Sequence, residues 1–165
     1  HKKDQKVHAG QIEAVYLEDG FTTELIGDGC HIPRETMQLV FKLKGAKKTA
    51  LITDAMRAAG TDCERSILGD RVSGTPVIIE DGVAKLVDRT FFAGSIATLD
   101  AALRTAIGFG IPLIDAVCSV TLTPAEIIGF DNRKGSLESG KDADIVITDP
   151  SLSVCDVIIG GRSIM

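Results

Sequence analysis

Residues 49–58, TALITDAMRA, run an unbroken apolar stretch into one aspartate, Asp54, and on into a helix-like segment. A short buried strand that ends in a carboxylate and turns into a helix is how open-mouthed α/β enzymes present a catalytic acid or base. Asp is also at home at a helix start, where its oxygen accepts free N–H groups. On its own, then, Asp54 reads equally as a helix cap. The preceding residues narrow the fold. Thr22, Thr23 and Ile26 give residues 21–27 the alternation of a strand, and Pro33 suits the first turn of a helix on which Met37, Val40, Phe41 and Lys44 recur at three and four before Gly45. Strand 48–53 follows. Residues 21–58 therefore have the order strand, helix, strand, helix start, which implies parallel pairing.

Upstream, Ile12, Val15 and Tyr16 are spaced as in a helix that stops at Asp19-Gly20. Downstream the pattern changes. Residues 77–80 and 83–87 flank Asp81-Gly82, a dipeptide that supplies the positive φ angles of a tight hairpin, so an antiparallel insertion is expected there. Residues 95–109 return to helix, with Ile96, Leu99, Leu103, Ala106 and Ile107 on one face. Shorter helices fit 112–119 and 124–128, the second closed by Gly129. The chain ends in strands at 143–148 and 154–159, followed by Gly160-Gly161, which suggests a separate small sheet.

A chain of 165 residues, 44% of them apolar, can bury a core and ordinarily forms one domain. Net charge is −5 and the basic residues are scattered, apart from Lys2, Lys3 and Lys6, read as a frayed, solvated end. This argues against a nucleic-acid partner. Cys30, Cys63, Cys118 and Cys155 form no Cys-x-x-Cys pair, and three of them sit where a reduced thiol packs as a small hydrophobe. That usage points to the cytoplasm. No apolar run approaches the roughly 18–20 residues of a membrane span, and no signal-peptide pattern is present. The sequence opens on His1 rather than methionine, so a longer chain, or residues added at its front, is expected.

Four segments stand in order along the chain: ELIGDGCH (24–31), TDAM (53–56), FAGS (92–95) and GKDADIVI (140–147). In content and order, over residues 10–165, they resemble the N-acetylglucosamine-6-phosphate deacetylases of the amidohydrolase superfamily. The resemblance implies the C-terminal portion of a (β/α)8 TIM-type barrel, with residues 21–27 as strand seven and 48–53 as strand eight. Residues 1–140 would be barrel, including helices and the hairpin insertion, and residues 141–165 terminal strands of a small β-sandwich.

It further implies that Asp54 is the catalytic residue, that Asp28, Gly29, Cys30 and His31 bind substrate, and that Phe92, Ala93 and Gly94 lie on a loop touching the sugar phosphate. His31 would hydrogen-bond a sugar hydroxyl or phosphate, although its place before Pro33 also suits a helix-capping histidine. Gly94 would let backbone approach the ligand, or simply serve a turn. The family's divalent metal, zinc or iron, would be held by a glutamate and two histidines outside this chain, leaving no metal ligand within it. His1 reads as a terminal residue, and His8 carries no role. The activity implied is hydrolysis of an acetamide to acetate and an amino-sugar phosphate by a self-associating cytoplasmic enzyme. Its rivals are a non-catalytic binding module and another amidohydrolase, such as a dihydroorotase-like enzyme.

Overall fold

The computed structural model describes residues 2–3 and 6–165. Lys2–Lys3 (β1) and Lys6–Val7 (β2) pair antiparallel, so the basic start is a short ladder rather than a frayed end. Helix α1 (Gln11–Leu17) follows and stops before the turn at Asp19-Gly20.

The element that positions everything else is a strand–helix–strand unit. β3 (Thr23–Ile26) and β4 (Thr49–Ile52) pair in parallel, Thr23 opposite Thr49 and Ile26 opposite Ile52. Between them runs α2 (Arg34–Lys44), with Pro33 at its N-cap and Gly45 at φ 71° ending it. Glycine reaches that left-handed region without the Cβ clash other residues meet. The Lys44 ammonium then donates to the carbonyls of Val15 and Glu18, at 2.9 and 2.8 Å, tying the end of α2 to the C-terminal carbonyls of α1.

β4 is buried along Thr49, Ala50 and Leu51, because α2 and three later helices pack against it: α3 (Leu99–Gly108), α4 (Leu113–Val120) and α5 (Leu122–Ile127). This explains its unbroken apolar sequence, since strands covered on both faces lose the apolar–polar alternation. The core here is Leu25, Met37, Val40, Leu51, Ala106, Ile111 and Ala116.

The antiparallel insertion is larger than the one hairpin legible in sequence. β6 (Thr75–Glu80) and β7 (Val83–Leu86) meet at Asp81-Gly82, with φ of 53° and 77°, and are flanked by β5 (Arg65–Leu68) and β8 (Phe92–Ser95) in the order β5-β6-β7-β8. A second core, Met56, Ala58, Val77, Ala84 and Ala93, lies beneath it. Residues 92–95, expected as a loop before a helix from residue 95, are a strand. Ser95 is held in that sheet, and the helix starts only after its N-cap, Thr98.

At the C-terminus β9 (Ile145–Thr148), β10 (Val154–Ile159) and β11 (Arg162–Ser163) form a three-stranded antiparallel sheet. Within GKDADIVI, Asp142 pairs with Arg133 at 2.9 Å, while Asp144 pairs with Lys134 and accepts the Gly160 N–H at 2.8 Å. The acidic residues of that motif thus brace the sheet. The four cysteines are free. Cys30, Cys63 and Cys155 are exposed and Cys118 is half-buried, so they do not pack as three buried hydrophobes.

Packing on α2 makes a sharp prediction. Met37 is fully buried, so Met37→Ala should lower the unfolding free energy by about 2–5 kcal/mol through lost contacts and a residual cavity. Leu39 on the same helix is 52% exposed, and Leu39→Ala should change it by less than about 0.5 kcal/mol. Urea unfolding followed by circular dichroism checks both; equal losses would contradict the packing of α2.

Candidate active site

Parallel pairing sends both strands out of the sheet at the same edge. The Gly27 N–H donates to the Ile52 carbonyl at 2.9 Å, extending the ladder one step, so Asp28 and Asp54 leave neighbouring strand ends. Adjacent strands lie about 4.8 Å apart, which is what brings two sequence-distant loops together.

The first loop is organised by Asp28. Its Oδ1 accepts the backbone N–H groups of Cys30 and His31, each at 2.9 Å, and its Oδ2 lies 2.7 Å from His31 Nδ1. The Asp28 side chain is 1% exposed and that of His31 is 16% exposed. Gly29 makes this tight turn at φ 79°, and a Cβ there would stand 3.1 Å from Thr105 Cγ2 on α3. His31 is not a helix cap, because the N-cap of α2 is Pro33 and receives no side-chain bond. Its ring instead meets Phe92 edge to face, with centroids 4.9 Å apart and planes at 62°. Cys30 Sγ lies 3.9 Å from the Asp81 carbonyl, so the β6–β7 turn leans over this loop. Burial, and then the negative charges of Asp28 and Asp81, push the Cys30 thiol above its ordinary range.

At the second loop the helix expected after Asp54 does not form. Asp54 turns at φ 47°, Ala55 bridges to Ser95, and residues 57–60 are turn. Asp54 therefore caps nothing. Six residues before Gly60 are too few for a self-supporting helix, and their backbone groups find strand partners instead. The Ser95 N–H donates to the Asp54 carbonyl at 2.9 Å, and the Met56 N–H donates to the Ser95 carbonyl at 2.8 Å. This clasp holds an exposed carboxylate-bearing residue in the left-handed region, which aspartate tolerates better than most. Such backbone strain, held in place by its surroundings, is a recurrent mark of functional positions.

Gly94 completes the junction. It adopts φ 86°, and a Cβ there would lie 3.2 Å from the Asp54 carbonyl oxygen. The structure thus gathers Asp28–His31, Asp54 and Phe92–Gly94 on one edge. Sequence reasoning missed the role of Ser95, fully buried and the partner of Asp54, because the short FAGS run lacks the β-branched residues that announce a strand. Among the described residues no group of three or more His, Cys, Asp or Glu side chains is placed to hold a metal ion. His1 lies outside the described residues.

The family model described as Amidohydrolase family matches residues 2–164. This chain belongs to that family. A deacetylase of N-acetylglucosamine 6-phosphate from Bacillus subtilis is 38% identical over 154 residues, covering 91% of this chain and 36% of the relative. An Escherichia coli K12 relative, provisionally named N-acetylgalactosamine-6-phosphate deacetylase, is 35% identical, covering 93% of this chain and 89% of the relative. The crystal structure of the Thermotoga maritima N-acetylglucosamine-6-phosphate deacetylase superposes with a TM-score of 0.84 at 32% identity, over 94% of this chain and 42% of that one. This member of the amidohydrolase family is thus an α/β chain like these deacetylases, and it spans 36% and 39% of the first two curated relatives it matches.

Because Gly94 combines a positive φ with close approach to the Asp54 carbonyl, Gly94→Ala should cost about 1–2 kcal/mol and shift the backbone amide resonances of residues 54–56. At Gly82, a hairpin position with open space around it, Gly82→Asn should leave those resonances in place. Denaturant unfolding and amide NMR spectra read both. Undisturbed resonances in Gly94→Ala would refute the clasp.

Proposed function

We propose that this chain is the C-terminal part of an N-acetylglucosamine-6-phosphate deacetylase, with β3 and β4 as barrel strands seven and eight. Residues 1–140 belong to the barrel and 141–165 to the small β-sandwich. The observation that carries this reading is the exposed Asp54, clasped by Ser95 at the edge where the His31 loop and Gly94 converge. The resemblance of four motifs in order and the superposition on solved deacetylases support it.

In this reading Asp54 takes a proton from the water that attacks the acetamide carbonyl carbon. It then delivers that proton to the amine nitrogen as the C–N bond breaks, giving acetate and an amino-sugar phosphate. An exposed carboxylate at a strand end suits both transfers. His31 hydrogen-bonds the sugar phosphate, and Gly29, Cys30, Phe92, Ala93 and Gly94 line the substrate with it. Asp28 joins this set through His31. Amidohydrolases generally use a divalent metal; here zinc or iron is the expectation, held by a glutamate and two histidines from outside this chain.

The galactosamine-type relatives, at 35% identity, favour a second reading in which the substrate is the 4-epimeric N-acetylated sugar phosphate. The DGCH and FAGS segments weigh against a dihydroorotase-like enzyme. Among the described residues no helix is long and apolar enough to cross a membrane; the cytoplasm is proposed as the site of action from the cysteine usage.

In the full-length enzyme Asp54→Asn should reduce turnover about a hundredfold or more with metal content unchanged. His31→Ala should weaken substrate binding, again without metal loss. Steady-state assays with both N-acetylhexosamine phosphates decide. Asp54→Asn activity within a few-fold of wild type overturns the assignment, and wild-type inactivity on both substrates favours the binding module.

Self-association is the second expectation. Among the described residues β3 and β4 pair with each other alone, leaving their outer edges open, and Ile12, Leu17, Ile114 and Ile128 are each more than two-thirds exposed. Open edges and apolar surface drive association. Light scattering should find oligomers of this chain at micromolar concentration; a stable monomer contradicts this.

A further inference from the structure

We infer that Asp28 is a positioning residue whose carboxylate fixes His31 as the Nδ1–H tautomer, leaving Nε2 as the ring nitrogen available to a ligand. This rests on the proposed deacetylase site, and deepens it by separating the residue that meets substrate from the residue that orients it.

Hydrogen-bond capacity decides the tautomer. A carboxylate is an acceptor with two oxygens. Oδ1 of Asp28 is taken by two backbone donors, the N–H groups of Cys30 and His31, and Oδ2 lies 2.7 Å from His31 Nδ1. At that distance one atom must bring the proton, and the carboxylate is arranged throughout to receive. Nδ1 therefore carries it. With 1% of its side chain exposed, Asp28 has no surface to offer a substrate. Among the described residues the His31 ring makes no other hydrogen bond than the one to Asp28. The Phe92 ring, 4.9 Å away at 62°, limits how far the imidazole can turn. Neutral imidazole has one donor and one acceptor nitrogen, and the partner of one nitrogen decides the role of the other. Nε2 is consequently the acceptor when the ring is neutral and a donor when it is protonated. Both states suit a sugar phosphate, which offers hydroxyl donors and phosphoryl acceptors.

Asp28→Asn separates this role from that of merely building the turn. The Asn carbonyl oxygen can still accept the two backbone N–H groups, so the loop is retained. The amide nitrogen replaces Oδ2 and donates, which requires Nδ1 to be an acceptor and reverses the tautomer. The experiment is two-bond ¹H–¹⁵N correlation on the ¹⁵N-labelled 165-residue chain, at a pH where the same spectra show a neutral ring. Wild type should show His31 protonated at Nδ1 with a bare Nε2, and Asp28→Asn should show the reverse, with the amide resonances of Cys30 and His31 retained. A wild-type ring protonated mainly at Nε2 overturns the inference, as does an Asp28→Asn ring that keeps the wild-type pattern. If the variant does not fold, the wild-type tautomer decides alone. The readout needs no catalysis. A wrong tautomer thus rejects the role of Asp28 while leaving that of Asp54, and loss of the deacetylase reading leaves the tautomer result intact.

Discussion

The in-register parallel pairing of β3 with β4 is the constraint from which the candidate site follows. Parallel strands need a long crossover, here α2 and its flanking loops, and the crossover covers the pair with an apolar face. Once Ile26 stands opposite Ile52, the loops that follow must emerge side by side, whatever their sequences. Asp28 and Asp54 then become neighbours through backbone geometry alone. A slip of one residue in this register would separate them along the edge.

A second joint ties this edge to the antiparallel sheet. The two hydrophobic cores are organised around different sheets, and the reciprocal backbone bonds between residues 54–56 and Ser95 stitch one to the other. Asp54 stands on that seam. Its side chain is free because its main chain is doing the anchoring. The His31–Phe92 contact crosses the same seam, joining the Asp28 loop to β8.

Elements whose pattern reports burial were legible in the sequence. The apolar run of β4, the three-four spacing of α2 and the Asp81-Gly82 turn each follow from local physics, and each stands where that physics places it. What was hidden depends on partners remote in sequence. β5 and β8 are four residues each, and FAGS becomes strand because β7 and residues 54–56 supply its bonds. The segment after Asp54 reads as helix for want of knowing that Ser95 would claim its backbone. The candidate site residues were proposed from motif resemblance, but the pairing of Asp28 with His31 became visible only with interatomic distances, since adjacency in a DGCH string does not say which oxygen meets which nitrogen.

Gly27 sits one residue before Asp28, and a Cβ there would meet the Cβ of Ala102 on α3 at 2.8 Å. Two of the smallest side chains thus form the contact that sets the spacing between β3 and α3. Neither position can grow in isolation during sequence drift. An alanine at 27 demands a glycine at 102, or else α3 moves away and carries with it Thr105 and Phe109, which floor the Gly29 turn. Covariation between 27 and 102 in lineages that keep this loop would be the evolutionary signature of that coupling. A pair with no chemistry of its own would then govern where an imidazole can point.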